Sequence, residues 1–444
     1  MKKEQAKVSF REKLSFGGAL MGQTILYNAI NLYLLIFYTD VFGIGAAAAG
    51  TLFLLARIWD AVNDPIMGVI VDKTQTRWGK CRPYLLFAPI PICILTVLLF
   101  LGPEVGSVGK IIYASITYVL WGMFYTSLDI PIWSMSSRMS VRTEERQSII
   151  SFGRIFNIIG SFFPVILVVP MKQALGGGLE SRGYFLTILI FALASLPLMM
   201  QSFFGTKERA AAEESKRPNL KESLSAIFGN TPLLMLVASN LLALFINLPV
   251  SAGIFFVTYN LGDESLFAVM AGTVLTSAII GSLLAPRLAR KFSSRKVLIS
   301  VHIVSAVFFI AAWFIGYSSL TFVIVLTFII GTLLGVPLVL RTSMLADTVE
   351  YVEMKTGKRS EGVIFSTLTF TSKLKIGVAA FLSGWILKMT DYIPNTEQTT
   401  VVLNGIMSMH TLLPALGCIL TIIPLFFYKL SDEAHKDIIK KLSE

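Results

Sequence analysis

The charges hardest to explain lie inside apolar sequence. In FLLARIWDAVNDPIMG, Arg57, Asp60 and Asp64 fall at i, i+3 and i+7 with Asn63 beside them. One helical face therefore carries two carboxylates, an amide and a guanidinium. At the middle of a lipid-spanning helix each such charge costs about 2.5–3.5 kcal/mol even on the lenient insertion scale. Arg57 suits an internal ion pair that ties helices together. Two carboxylates, however, exceed what one arginine neutralises, and the donors are hard oxygens, which suit Na⁺ or a shared proton.

A second stripe occurs in YVLWGMFYTSLDIPIWS, where Tyr125, Asp129 and Trp133 stand at i, i+4 and i+8. An aromatic face covers the C–H side of a pyranose, and a carboxylate accepts from adjacent hydroxyls through charge-assisted bonds. An interfacial aromatic belt accounts equally for Trp133 alone. Arg154, Asn157 and Ser161 share a face further on; a buried arginine needs a partner, and Asp129 or a substrate oxygen is the chemical candidate. Gln23, Tyr27 and Asn31, with Thr24 and Asn28 alongside, form an uncharged polar face suited to hydroxyl groups or to joining helices. Late in the chain, Ser366, Thr369 and Lys373 line one face, with Lys375 about 200° round the helix. Lys373 suits a gate, a carboxylate pair or a substrate contact. Arg341, near one end of its apolar run, is explained as well by snorkelling towards the interface. The mixed-sign stretch 346–362 reads as a solvated or gating charge network. The three histidines, 302, 410 and 435, lack metal spacing, and Cys81, Cys93 and Cys418 lie too far apart to suggest a disulfide framework or metal cluster.

These residues need helices to carry them through lipid. Of the 444 residues 54% are hydrophobic and only 15% charged, and mean hydropathy is +0.71, far from the quarter or so of charged residues usual in soluble domains. Apolar runs long enough to cross a bilayer recur throughout, which excludes a large soluble catalytic domain. Twelve spans are predicted, at 16–38, 47–70, 84–101, 111–133, 149–170, 184–204, 232–258, 266–286, 297–316, 320–345, 363–387 and 405–428. Alternate connections and both termini hold 29 of the 38 Lys/Arg and the remaining loops four, so the positive-inside rule places both termini in the cytoplasm. The net charge of +11 is thus loop charge facing a membrane surface, with no nucleic-acid stripe. The basic N-terminus precedes a segment too long and polar-spotted for a cleaved signal.

A polar connection, GTKERAAAEESKRPNLKES, separates two sets of six spans: an N-terminal bundle over 1–204, a central cytoplasmic loop over 205–223 and a C-terminal bundle over 224–444. Gly68, Arg77 and Arg82 follow the second span with the same offsets as Gly281, Arg290 and Arg295 follow the eighth. The expected fold is therefore an all-α polytopic membrane protein of two pseudo-symmetric six-helix bundles, an architecture typical of secondary transporters. No phosphate-binding G-x-x-x-x-G-K-[ST] loop is present, so a gradient must supply any driving energy.

The runs FYTDVFG (37–43), ARIWDAVNDPIMG (56–68), TRWGKCRP (76–83), YTSLDIPIWS (125–134), ADTVEYVEMKTG (346–357) and FFYKLSDE (426–433) resemble, in order and over nearly the whole chain, the glycoside-pentoside-hexuronide:cation symporters of the major facilitator superfamily. The resemblance implies that Asp60, Asn63 and Asp64, with Thr126, hold the coupling cation (Na⁺, H⁺ or Li⁺). It implies that Tyr125, Asp129, Trp133 and Arg154 belong to a sugar pocket and that Lys373 is a functionally important lysine of the eleventh span; Lys373 and the polar first-span residues Gln23, Thr24 and Tyr27 are taken with them as candidate substrate ligands. The melibiose branch carries a Lys-Asp pair where Gln23 and Thr24 stand, and an aromatic residue where Leu338 stands, so a different solute is expected. Loss of that carboxylate, with Lys375 and Arg341 as additional cations, shifts the expectation towards an acidic sugar; a neutral pentoside or oligosaccharide is an equal candidate.

The expected function is import of a sugar coupled to a monovalent cation by alternating access, in a bacterial inner membrane, by a functional monomer with no enzymatic activity. A Na⁺-coupled lysolipid carrier and a non-transporting sugar sensor are the alternatives. The hydrogen-bonding set around Asp129 favours sugar over lipid.

Overall fold

The computed structural model describes residues 8–140, 142–209, 228–356, 361–430 and 432–443; most of the central connection and the Ser366 side chain lie outside the described residues. The chain divides into two compact units, Met1–Ser215 and Lys216–Glu444. Apart from short turns and one isolated bridge at Thr76 and Gly79, the described residues are helical, as the absence of backbone partners in lipid demands.

The first unit holds α1 (Phe10–Ile36), α2 (Ala46–Lys73), α3 (Arg82–Leu99, in two pieces meeting at Ala88), α4 (Ser107–Met139), α5 (Thr143–Gly176) and α6 (Glu180–Gly205). Helix α1 starts where a capping box forms: Ser9 N–H donates to Glu12 at 2.9 Å and Glu12 N–H to the Ser9 hydroxyl. It packs against α5 and α6 through small residues. A Cβ on Gly160 would meet the Met21 carbonyl at 2.7 Å, and one on Gly22 the Ser195 carbonyl at 2.9 Å, so the backbones approach as closely as lipid-embedded helices do.

The second unit holds α7 (Thr231–Asn260), α8 (Leu266–Phe292), α9 (Ser294–Ile315), α10 (Leu320–Thr356), α11 (Glu361–Met389), α12 (Thr400–Phe427) and a terminal amphipathic α13 (Asp432–Ser443). Its core gathers Leu236, Leu298, Val336, Leu340, Leu425 and Tyr428. Helices α8 and α10 cross closely, with Gly281 facing the Thr332 carbonyl and Gly335 facing that of Ala278.

Eleven of these helices are long and apolar enough to cross a membrane. The twelfth predicted span is α2, with 28 residues long enough but interrupted by Arg57, Asp60 and Asp64. The charges that single it out for chemistry are those that lower its hydropathy. Most of the other helices run a few residues past their predicted apolar stretch; α10 continues from 345 to Thr356 through the acidic stretch that includes Asp347, Glu350 and Glu353.

The two units repeat local devices. Helix α1 closes in a widened turn in which Phe42 N–H donates to the Phe37 carbonyl and Ile44 N–H to that of Tyr38; α7 closes with Leu261 N–H on Phe256 and Asp263 N–H on Val257. Both ends turn through a left-handed glycine, Gly43 at φ 74° and Gly262 at φ 73°. The sequences FYTDVFG and FVTYNLG share Phe, Thr and Gly at the same offsets. The Arg82 guanidinium donates to the Phe203 carbonyl at the end of α6 at 2.7 and 3.2 Å, while Arg295 donates to the Leu425 and Phe426 carbonyls at the end of α12 at 2.8 and 2.7 Å. Arginines at matching sequence offsets thus cap the last span of each unit. The paired glycines differ: Gly281 is pressed against backbone, whereas Gly68 has open space where a Cβ would stand.

At one end of the first unit, Glu208 accepts from the backbone N–H groups of Lys80, Cys81 and Arg82 at 2.7–3.1 Å and faces Arg138. A carboxylate thereby occupies the positive end of α3. Beneath it Cys81 is fully buried, and burial, reinforced by the Glu208 charge, pushes its thiol up to about 12.

Candidate functional site

In the first unit the polar residues of α1, α2, α4 and α5 meet in one connected array. Helix α2 turns Arg57 and Asp60 to the same side, and the guanidinium donates to the Asp60 carboxylate at 3.0 Å with both side chains buried. The other end of the fork donates to the Asn31 amide oxygen of α1 at 3.1 Å. The remaining Asp60 oxygen lies against Gly122 of α4, where a Cβ would stand 3.0 Å from it. A residue without a side chain lets the carboxylate reach the helix carrying Thr126.

Asp64, one turn further along α2 and only partly buried, accepts from the Thr126 hydroxyl at 2.9 Å. Asn63 is buried, with its amide nitrogen unpartnered. Pro65 supplies no backbone N–H, which removes the donor that the Ala61 carbonyl would meet in an unbroken helix. The turn thus concentrates carboxylate, amide, hydroxyl and carbonyl oxygens. The Arg57–Asp60 ion pair lies within α2 and does not itself tie two helices, the link to α1 being the Arg57–Asn31 bond; Asp60, Asp64 and Thr126 meet at the α2–α4 contact, with Asn63 buried on the same turn of α2.

The neighbouring residues form an aromatic wall. Tyr27 and Tyr125 stack at 5.2 Å between ring centroids, and Trp121 stacks on Tyr125 at 4.9 Å and on Tyr118 at 6.1 Å. Trp121 is anchored by its indole N–H on the Thr96 hydroxyl at 2.9 Å. The Arg57 guanidinium lies 5.6 Å from the Tyr27 ring centre, which joins this stack to the carboxylate cluster.

Asp129 accepts from the Gln23 amide at 2.8 Å, and Asn157 donates to Thr24 at 2.6 Å. Arg154, for which Asp129 or a substrate oxygen was the candidate partner, is exposed, and its guanidinium sits over the Trp133 ring at 5.0 Å, with Phe16 edge-on to the same ring. Stacking on an indole stabilises a guanidinium without a carboxylate. Trp133 is thereby a partner of Arg154 more than a belt residue. Sequence reasoning missed Trp121, which its spacing of four from Tyr125 and three from Tyr118 would have placed on the same face.

In the second unit, Lys373 is half-buried on α11. Leu338 is largely exposed. Arg341 does not reach outwards to an interface: it turns inward, donating to the Asn240 amide oxygen at 3.2 Å and contacting His302 Nε2 at 3.1 Å. Two histidines therefore have polar partners that spacing along the chain did not suggest. Besides His302, His435 of α13 contacts Glu350 and lies 3.7 Å from Asp347, a group with the donor types of a metal site.

The model of the family described as MFS/sugar transport protein matches residues 15–432. The chain is 33% identical to a protein of Bacillus subtilis (strain 168) described as the uncharacterized symporter YnaJ, over 98% of this chain and 95% of that one. It is 32% identical to the isoprimeverose transporter of Lactiplantibacillus pentosus, over 98% and 92%. The crystal structure of the nucleoside transporter NupG superposes with a TM-score of 0.68 at 14% identity, covering 94% of this chain and all of that one, which establishes the shared fold. Multi-pass helices, a duplicated six-helix plan and a family match over nearly the full length agree: the chain belongs to the MFS/sugar transport family, as a major facilitator membrane transporter of sugars and not an enzyme.

Proposed function

We propose that the protein is a symporter that imports a sugar together with one monovalent cation. The observation that carries this is the convergence of two carboxylates of α2 on α4: an Asp60 oxygen lies against Gly122, and Asp64 accepts from the Thr126 hydroxyl at 2.9 Å. The oxygen-rich turn of α2 facing Thr126 is the proposed place for that ion: Asp60, Asn63, Asp64 and Thr126 supply hard donors and no soft ones. Arg57 on Asp60 holds the cluster neutral on one side, so an incoming ion competes with the guanidinium.

Beside it, Gln23, Thr24, Tyr27, Tyr125, Asp129, Trp133 and Arg154 of the first unit are proposed to take the sugar; Lys373, on α11 of the second unit, is proposed separately as a substrate-binding residue. Gln23 holds Asp129 in place from α1, and the Tyr27–Tyr125–Trp121 stack offers flat apolar surface beside it. Such alternation of ring faces and charge-assisted acceptors suits polyhydroxyl solutes far better than acyl chains. The energy comes from the ion: if the cation tightens sugar binding, sugar tightens cation binding by the same factor. The inner membrane of a bacterium, with both termini cytoplasmic, is the proposed setting, following the Lys/Arg bias of alternate loops.

The test is uptake of labelled glycosides into proteoliposomes with and without an imposed Na⁺ gradient, for the wild type, Asp60→Cys and Asp64→Cys. Accumulation that follows the gradient and disappears in both variants is expected. Accumulation indifferent to the gradient and to both substitutions would refute the assignment.

A further inference from the structure

In the second unit Arg341 of α10 and Lys375 of α11 stand within spanning helices, while the acidic residues of those helices, Asp347, Glu350, Glu353 and Glu361, are confined to the last turns of α10 and the first residue of α11. The two cations converge. Arg341 Nη1 and Lys375 Nζ both donate to the single amide oxygen of Asn240, each at 3.2 Å. The amide is held in that sense because its nitrogen donates to the hydroxyls of Thr371 at 2.9 Å and Ser372 at 3.5 Å. Asn240 and His302 are 3% and 1% exposed, whereas Arg341 and Lys375 keep part of their surface open.

The hydrogen-bond count in this cluster is one-sided. A guanidinium has no lone pair to offer, so the 3.1 Å contact of Arg341 Nη2 with His302 Nε2 requires that nitrogen to accept, which leaves the proton on Nδ1. That Nδ1 is itself buried without a partner, and so is Arg341 Nε. Lys375 has further N–H groups beyond the one on Asn240. Among the described residues no carboxylate pairs with Arg341 or Lys375. Two cations on one neutral oxygen, amid surplus donors, lack the acceptor that charge burial in a membrane helix requires.

We infer that Asn240, His302, Arg341 and Lys375 form an anion subsite in the second unit, which takes the carboxylate or sulfonate of an acidic sugar. This rests on the symport reading and narrows its substrate class. The donors match an oxyanion: a planar fork from Arg341, a point charge from Lys375, and Asn240 as the spacer that keeps the two cations from springing apart when the anion leaves. Neutral glycosides would leave both charges unmatched.

Matched glycosides that differ only in the acid group provide the test: methyl β-D-glucuronide against methyl β-D-glucoside, methyl galacturonide against methyl galactoside, and a 6-deoxy-6-sulfo-glucoside. Binding is read by thermal stabilisation of purified protein at fixed Na⁺, with sodium sulfate and sodium chloride as inorganic arms. The wild type should favour at least one acidic member over its neutral twin by about tenfold or more, the worth of one charge-assisted bond. Lys375→Gln and Arg341→Gln should bring that ratio towards unity, and Lys375→Arg should retain it; because the ratio is internal to each variant, differences in folded yield cancel. A ratio near unity in the wild type, or one untouched by both glutamine variants, overturns the inference. So does stabilisation by sulfate or chloride that equals that of the acidic sugars and vanishes in the same variants, since the subsite would then hold a resident inorganic anion. Na⁺-driven uptake of neutral glycosides without acid preference would sink this inference while sparing the symport reading; binding of no glycoside of either kind would sink both.

Discussion

If a cation displaces Arg57 from Asp60, removing the arginine should make the ion site tighter while making the empty protein less stable. The buried pair is 3.0 Å long; at an effective dielectric constant of 20 the attraction at that distance is about 5.5 kcal/mol before desolvation is subtracted. Deleting one member of such a pair typically costs ~3–5 kcal/mol, because the other charge is left buried. Arg57→Gln keeps a hydrogen-bonding head near Asn31 and Asp60 but loses the charge. In choline chloride it should therefore unfold at markedly lower temperature than wild type. As Na⁺ replaces choline at constant ionic strength, stabilisation grows by about 1.4 kcal/mol per tenfold Na⁺ above the dissociation constant. With its competitor gone, the variant should begin this rise at a Na⁺ concentration at least about tenfold lower, which requires only 1.4 kcal/mol of the lost attraction to be returned to the ion.

The measurement is a set of thermal unfolding curves in detergent across a Na⁺ series for wild type, Arg57→Gln, Asp60→Asn and the double variant. Asp60→Asn should abolish the Na⁺ response in either background, since the ion and the guanidinium use the same carboxylate. Coincident Na⁺ onsets in wild type and Arg57→Gln would show that Arg57 and the ion do not compete, and the reasoning would fail at that step.

Two further outcomes follow from packing. Gly281→Ala places a Cβ 1.9 Å from the Thr332 carbonyl, inside backbone rather than beside a pliable side chain, whereas Gly68→Ala meets nothing within 4 Å; the first should lose about 3 kcal/mol or fail to fold and the second stay within about 0.5 kcal/mol of wild type, as read by thermal unfolding. Cys81 should resist maleimide at pH 8: with its thiol raised to about 12 by burial and the Glu208 charge, only on the order of one molecule in ten thousand carries a thiolate there. Labelling should appear on unfolding, and in Glu208→Ala, which uncaps α3 and opens the segment above the thiol; rapid labelling of the folded wild type would contradict the burial.

The fold was legible because lipid leaves so few solutions. Apolar length marks a helix almost without regard to which apolar residues fill it, and even α2, spoiled as an apolar stretch by its charges, shows itself by a helical spacing of those charges. The internal duplication is legible in two places. Arg82 and Arg295 matched by offset, and each caps a terminal span; FYTDVFG and FVTYNLG also match, and the glycine that ends each is the residue whose left-handed conformation the widened turn requires. Substitution hides such repeats except where backbone geometry or a carbonyl cap restricts the choice of side chain.

Site chemistry was legible within helices and not between them. The set Arg57, Asp60 and Asp64 could be read because three and seven residues are neighbours on one helix. Asp129 with Gln23, 106 residues apart, or Arg341 with Asn240, 101 apart, could not, because nothing in a linear pattern selects among several helices that present polar groups. Arg154 shows the same limit: Asp129 or a substrate oxygen was the candidate partner read from residue type, while the contact found within the protein is an indole at 5.0 Å, suited to a weakly hydrated, planar cation. Partnering by type alone overlooks that a guanidinium has faces as well as edges. His302 is the converse case. A lone histidine carries no spacing signal, and its role follows only from tautomer logic once a donor-only neighbour is seen against it: an arginine that can only donate makes Nε2 accept, and the donors that Asn240 and His302 leave unmatched are those the inferred anion would meet.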